Sequence, residues 1–589
     1  MLDHLTPRKA LLLALLIMLL AVAKQCADQI PLLATANLTN PDSYYKLVLL
    51  REYTPQTGFQ YMARDNAPDG SYLHWSAVHS WTVLMLARGL MACGLGQDTA
   101  LLWAGGGLTV ICVLLLAALV ARAIIGQGGR LAAVVSALVL ATSAPLWAYG
   151  QLIQITHHVF MLVPLAAATC FLLRGGSVSP LQAGRADLAG GLLLGLALWT
   201  SPETMPLVVA LAAMRAARRL QAPPQEEPCW PVAVGLLAML AWGWHVDPPP
   251  PTFSAWALDH VSLAWLLLAT LLAGLLALTD VLTRRAVEWP LSFPALTGAT
   301  LLAGGIWLFA VPGALAGPQG LIPDEIKGIW WAQIGELQAA GKPHEWLVLM
   351  FMPMLAGTFL LYVAWREHSL WLTVLAVTTL AYGALGAWHI RMGAAAAFVT
   401  ALAYGMALAR QHAFSTASVH QLSAREQWRA AALLLLPPLQ VGLALGLAAL
   451  QPAEKKDEAK SGCHLADIAQ QLNSLPPGTM LASTNLGPEL LWRTHHKVVA
   501  GNYHHNVSGI VDVFRVWLSL PPDAQAQDII ARRRIDYVLE CGLLPIPPKA
   551  RNTLLGRVSQ GEEISWLPQR EQLGAWWLYE RVSDGDAGK

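Results

Sequence analysis

Residues 65–81 read DNAPDGSYLHWSAVHSW: an acid, an amide, Pro-x-Gly turn chemistry, two His and two Trp in an otherwise strongly apolar chain. An apolar helical pattern over residues 76–95 overlaps its end. If that helix crosses a membrane, every later loop changes side; if it lies along the surface, the basic loops that follow fall on one face. The chain therefore reads outward from this stretch, which is either interfacial packing or the floor of a site.

Of 589 residues, 55% are hydrophobic and 13% charged, and the mean hydropathy is +0.47. Soluble chains carry about 25% charge, so the composition is that of a polytopic membrane protein. A net charge of +1 provides no basic surface for nucleic acid. The 24 Trp suit membrane interfaces first and sugar stacking second. Cys26, Cys93, Cys112, Cys170 and Cys229 sit in or beside apolar runs as small buried thiols. Cys463 and Cys541 lie in the polar C-terminal part, where pairing and free thiols are both open.

Arg8 and Lys9 precede the first apolar run, which reads as a transmembrane helix with its N-terminus inside. Further runs cover 100–121, 131–149, 157–173, 188–201, 203–214, 231–244, 261–279, 293–314, 346–364, 370–387, 392–409 and 430–450. That predicts about 13 spans, some short enough to be broken or tilted. The basic connections 122–130, 174–185, 215–219, 283–285, 365–368 and 410–429 then share one face, cytoplasmic by the positive-inside rule, provided the 76–95 helix is peripheral. The opposite face collects the loop 25–98, the 149–158, 201–204, 245–253, 315–345 and 388–391 connections, and the C-terminal part. The expected organisation is a membrane domain over 1–450, a charged linker at 451–462 and a small α/β domain at 463–589, with strand signals in TMLAS, KVVAG and DYVLE.

Ionisable residues at membrane-proximal positions are candidate functional groups. They are Asp42 in NPDSYYKLVLLRE, Asp65 and His74 in the opening stretch, His157 and His158, Glu203, Glu336 in WWAQIGELQ, and Arg391 in WHIR. Each has an ordinary alternative. Asp42 suits a helix N-cap, His157 and His158 an interfacial helix start, and Glu203 the turn after Pro202. Glu336 suits a solvated helix face, and Arg391 a snorkelling position. Taken jointly, separate loops on one face each supply an acid, a His or an Arg. Such a set suits a divalent cation through oxygen and imidazole donors, with Arg holding a phosphate.

Two patterns in the first loop match a known family: DSYYKLVLLRE (42–52), and RDNAPDG (64–70) followed by LHWS (73–76). They resemble bacterial and archaeal relatives of the oligosaccharyltransferase catalytic subunit, GT-C-fold glycosyltransferases that use polyprenyl-linked sugar donors. THH (156–158) is similar to the family's Asp-His-His, ETMP (203–206) to its Glu-Thr/Ala-x-Pro, and Glu336 and Arg391 to its late-loop glutamate and late-helix arginine. The tail YHHN…GIVDVFR…RRRIDYVLEC resembles that of proteobacterial members. Departures are Thr156 in place of an acid, Ser80 where many relatives have Asp, and the absence of a sequon-reading Trp-Trp-Asp motif, which argues against protein N-glycosylation.

The resemblance implies a GT-C-like α-helical membrane glycosyltransferase in a bacterial inner membrane, with a cytoplasmic N-terminus and a periplasmic C-terminal domain. It would move a sugar from a polyprenyl-phosphate or diphosphate donor to a lipid-linked or envelope glycan. Asp42 and Glu336 would be catalytic. His74, Trp75, His157, Glu203 and Arg391 would bind substrate, and Asp42, His158 and Glu336 would hold Mg2+ or Mn2+. A non-catalytic binder or transporter of lipid-linked saccharide and a protein oligosaccharyltransferase are the alternatives.

Overall fold

Hydrocarbon offers a backbone no hydrogen-bond partner, so unbroken apolar runs close their bonds within helices. The computed structural model of the chain describes residues 5–581 except 57, 175–178, 224–227, 317–321, 323, 329, 332–333, 412–422, 451–462 and 543–549. Its first helices are α1 (Pro7–Ala34), α2 (Pro41–Arg51), α3 (Ala77–Ala92), α4 (Gln97–Ile125), α5 (Arg130–Ala141), α6 (Ala144–Tyr149), α7 (Leu162–Leu172) and α8 (Pro180–Thr200). They are followed by α9 (Met205–Leu220), α10 (Trp230–Val246), α11 (Leu263–Arg284), α12 (Trp289–Ala310), α13 (Pro343–Arg366), α14 (Leu370–Trp388), α15 (Gly393–Ala409) and α16 (Ala424–Ala449).

Among the described residues eight helices are long and apolar enough to cross a membrane, and α5, α7 and α10 are shorter apolar helices. Against about 13 expected spans, α8 and α9, over the expected 188–201 and 203–214 runs, fall in neither group, and two other runs differ from the observed elements for local reasons. The 131–149 run breaks at Thr142, because Ser143 caps a new helix whose first turn holds Pro145. The 157–173 run becomes helical only at Leu162, leaving His157 and His158 in an irregular segment. The span ending in α15 is 94% buried in its apolar window and is the central helix, whereas the α12 window is 0% buried and forms the rim. At 1.5 Å per residue the 16-residue α3 is about 24 Å long, short of a hydrocarbon core of about 30 Å.

Within the first long loop, β1 (Tyr61–Met62) and β2 (Ser71–Tyr72) pair antiparallel. Gly70 turns into β2 at φ +79°, where a side chain would also strike the Tyr61 ring.

The C-terminal part builds a five-stranded sheet from β3 (Thr479–Leu481), β4 (Lys497–Val498), β5 (Tyr537–Cys541), β6 (Gln569–Leu573) and β7 (Trp576–Glu580), in the order β4-β3-β5-β7-β6. β3 is parallel to β4 and β5, while β7 is antiparallel to β5 and β6. α17 (Leu465–Ser474), α18 (Gly487–Arg493), α19 (Val507–Trp517), α20 (Ala524–Arg532) and α21 (Leu554–Ser559) accompany it. A disulfide joins Cys463 to Cys541. The expected linker 451–462 lies outside the described residues.

The first loop and the C-terminal part are stitched together. Arg51 donates to the Leu491 and Trp492 carbonyls at 2.9 and 2.8 Å. Arg64 donates to the carbonyls of Leu491, Thr494 and His496 and pairs with Glu52. The fully buried Asp65 accepts from Ser71 Oγ at 2.6 Å, Gly501 N at 3.0 Å and Asn506 Nδ2 at 3.1 Å. Asp65 is thus a packing residue that ties the first loop to the 501–506 segment.

Candidate functional site

Asp42 stands in the first turn of α2, and the cap of that helix is Asn40, whose Oδ1 accepts from Asp42 N at 2.8 Å. The Asp42 carboxylate is therefore not consumed in capping and faces a cavity of about 420 Å3. His74, Trp75, His157, Glu203, Glu336 and Arg391 line the same cavity. His158 lies behind it, 1% exposed, stacked on His157 and beside the Tyr149 ring.

Arg391 lies on a 3-10 turn entering α15, and Glu203 on a 3-10 turn between α8 and α9. Glu336 is brought to them because its loop docks on the end of α14, with His389 Nδ1 2.8 Å from the Leu337 carbonyl and Ala340 N bonded to Ala387 O. Arg391 Nη2 meets Glu203 Oε1 at 2.7 Å and Nη1 meets Glu336 Oε1 at 2.9 Å, while its buried Nε carries no hydrogen bond. Tyr149 donates to Glu336 Oε2 at 2.9 Å. Arg391 is thus held by two carboxylates instead of snorkelling, and the Glu336 carboxylate is bound on both oxygens.

Burial pushes the Asp42 carboxyl up to about 7, with repulsion from Glu336 adding to it and Arg391 and Lys46 opposing it. Burial likewise pulls the Lys46 ammonium down to about 7, against the attraction of Asp42 and Asp247. Lys46 sits 3.4 Å from Ser80 Oγ and over the Trp75 ring. Burial holds the His157 and His158 imidazoles well below their usual range, hence neutral.

Two groups of described residues place His and acid donor atoms within 4.8 Å of one another: His157, His158 and Glu203; and His74, Asp259, His504 and His505. The set expected from sequence, Asp42, His158 and Glu336, does not form such a group. Thr156 takes up His158 Nδ1 at 3.0 Å, and Arg391 engages Glu203 and Glu336. Hard cations such as Mg2+ and Mn2+ prefer oxygen-rich sets. Beside Asp42, Glu203 and Glu336 supply carboxylate oxygens, and Arg391 is the cation that engages both of them.

Asp259, Tyr503, His504 and Trp330 also line the cavity, and sequence reading did not select them as site residues. Only the YHHN run at 503–506 signalled two of them, and nothing in the sequence tied it to Asp259.

No family model matches the chain, and no curated protein sequence is similar to it. In fold it is similar to the archaeal oligosaccharyltransferase AglB from Archaeoglobus fulgidus, solved in complex with an inhibitory peptide and a dolichol-phosphate. The TM-score is 0.68 at 12% identity, over 96% of this chain and 79% of that one. The A. fulgidus oligosaccharyltransferase tethered to an acceptor peptide with an NVT sequon gives 0.65 at 14% identity, over 91% and 69%. The same enzyme in complex with Zn and sulfate gives 0.58 at 15%, over 90% and 68%. The chain therefore shares the GT-C fold of these proteins.

Proposed function

We propose that the protein is a GT-C-type membrane glycosyltransferase that takes a sugar from a polyprenyl-phosphate or diphosphate donor and transfers it to a lipid-linked or envelope glycan. The observation that carries this reading is a single one: the Asp42 carboxylate, free of capping, faces an Arg391 guanidinium fixed by two glutamates across one cavity. The acceptor hydroxyl loses its proton to Asp42 as its oxygen bonds to the anomeric carbon. The bond from that carbon to the phosphate oxygen breaks, and the lipid phosphate leaves with the electron pair. A base with a pKa of about 7 is matched to such a proton transfer near neutral pH. Arg391, which lines the cavity between Glu203 and Glu336, is the group that would meet the departing phosphate charge. His74 and Trp75 shape the sugar-facing wall, and His157 contributes a neutral imidazole to it.

On this reading residues 1–450 form the membrane domain, and the part from 463 onward roofs the site outside a bacterial inner membrane, with the N-terminus cytoplasmic. The loop charge bias supports that sidedness, as does the Cys463–Cys541 disulfide, which suits an oxidising compartment. The deciding experiment is transfer of labelled sugar from polyprenyl-linked donors by purified protein in nanodiscs, with glycolipid and sequon-peptide acceptors in parallel. Turnover onto glycolipid, lost in Asp42→Asn and Arg391→Lys, is expected. Full turnover in Asp42→Asn overturns the site. Transfer to peptide instead points to an oligosaccharyltransferase, and donor binding without any turnover to a saccharide binder.

A further inference from the structure

Three segments far apart in sequence converge beside the cavity. His74 comes from the first long loop, Asp259 from the loop before α11, and His504 and His505 from the loop before α19. His504 Nε2 lies 2.9 Å and His505 Nε2 2.5 Å from the same oxygen, Asp259 Oδ2. The other oxygen, Oδ1, is buried with no hydrogen-bond partner on a residue only 8% exposed. Both imidazoles thus converge on one carboxylate oxygen while the other is buried and bare, which gathers three donor groups at one point and leaves a lone-pair site beside them unsatisfied. His74 completes the group, and the Tyr503 hydroxyl bonds its Nδ1. Phe253 stacks on the His505 ring at 3.9 Å between centroids and fixes its orientation.

We propose that His74, Asp259, His504 and His505 form a four-coordinate site for a zinc-class divalent cation, which clasps the first loop, the pre-α11 loop and the C-terminal part around the cavity. Three imidazoles and one carboxylate suit Zn2+ or Co2+ and not Mg2+ or Ca2+. A tetrahedral ion with bonds of about 2.0–2.1 Å holds its donors roughly 3.4 Å apart. The four donor atoms already lie within 4.8 Å of one another, so sub-ångström side-chain adjustments close the site. All four positions are taken by protein, which makes the ion a structural clasp with no open place for a reacting water.

The test uses the full chain in nanodiscs, stripped with a chelator and titrated with Co2+, with bound metal measured by mass spectrometry and by visible absorption. The expected result is one tightly bound Co2+ per chain with an intense tetrahedral spectrum. It is lost in Asp259→Asn and His505→Ala but kept in Glu203→Gln and His157→Ala, which alter the other group. Zn2+ raises the thermal midpoint of the wild type and not of Asp259→Asn. Wild-type protein that binds no Co2+, or binds it with a weak six-coordinate spectrum, overturns the proposal. So does retention in His505→Ala, or loss confined to the Glu203 and His157 variants. The wild-type arms decide the matter even where a variant does not fold, and none of these readouts depends on transferase activity.

Discussion

Asp42 is the residue on which the transferase reading turns, and its environment makes the reading measurable. A base must be ionised, so kcat/KM rises with pH through about 7, where burial places this carboxyl. Asp42→Asn lowers turnover by about 10²–10⁴-fold and flattens that limb, while donor affinity stays within a few-fold, as pH-rate profiles and donor titrations will show. Lys46 behaves oppositely in stability. Its folded value of about 7 lies below the ordinary 10.5, so the unfolded chain holds the extra proton between those values and stability rises with pH across that window. Lys46→Met is therefore stabilising at pH 7 by up to a few kcal/mol, and the gain fades toward pH 10. Unfolding midpoints at both pH values check it. Six of the seven cavity-lining candidates were legible because membrane-proximal ionisable groups in an apolar chain are costly and so stand out, and Trp75 was legible only through the resemblance of LHWS to a family motif. Asp259 was not, because its partner His504 lies 245 residues away and no local pattern joins them.

At the scale of elements, the basic run at 215–219 shows where sequence reading saw the charge and missed its use. Taken as a loop on the inner face, it counted toward topology, yet α9 continues through it to Leu220. Arg215 pairs with the fully buried Asp187 at 2.7 Å, as does Arg174, and Arg219 pairs with Asp280 at 3.2 Å. Asp280 also accepts from Cys229 N and Trp230 N, which caps the start of α10. These charges hold α8, α9, α10 and α11 in register. A run-length reading of hydropathy cannot see them, since each acid sits just beyond the end of an apolar run and its arginine lies 28 or 61 residues further along or back in the chain. Removing one partner of a buried pair leaves an uncompensated charge, so Asp187→Ala costs about 3–5 kcal/mol. Its expected signature is a lowered detergent melting temperature that Arg215→Met on the same background partly restores.

Across the whole molecule, the site exists only where the membrane helices, the first loop and the C-terminal part meet. α2 supplies Asp42, and the region behind β4 supplies Tyr503 and His504 to the same cavity. The long helices and the strands at TMLAS, KVVAG and DYVLE were readable from period and composition. The docking between them was not, because it runs through side chains bonding distant carbonyls, which leave no periodic trace. Arg64 is the densest of these joints, bonding three carbonyls of the 491–496 segment besides Glu52. Arg64→Ala removes the donor to the Thr494 and His496 carbonyls, each worth about 1–3 kcal/mol if left unpaired and buried, and leaves the Leu491 carbonyl to Arg51 alone. The expected result is faster hydrogen exchange over residues 61–76 and 491–509, with the amides of α4 and α15 unchanged. Turnover should fall through a raised KM, because Asp42 keeps its own helix while the roof over it loosens. Unaltered exchange in those two segments would show that the joint does not hold the site together.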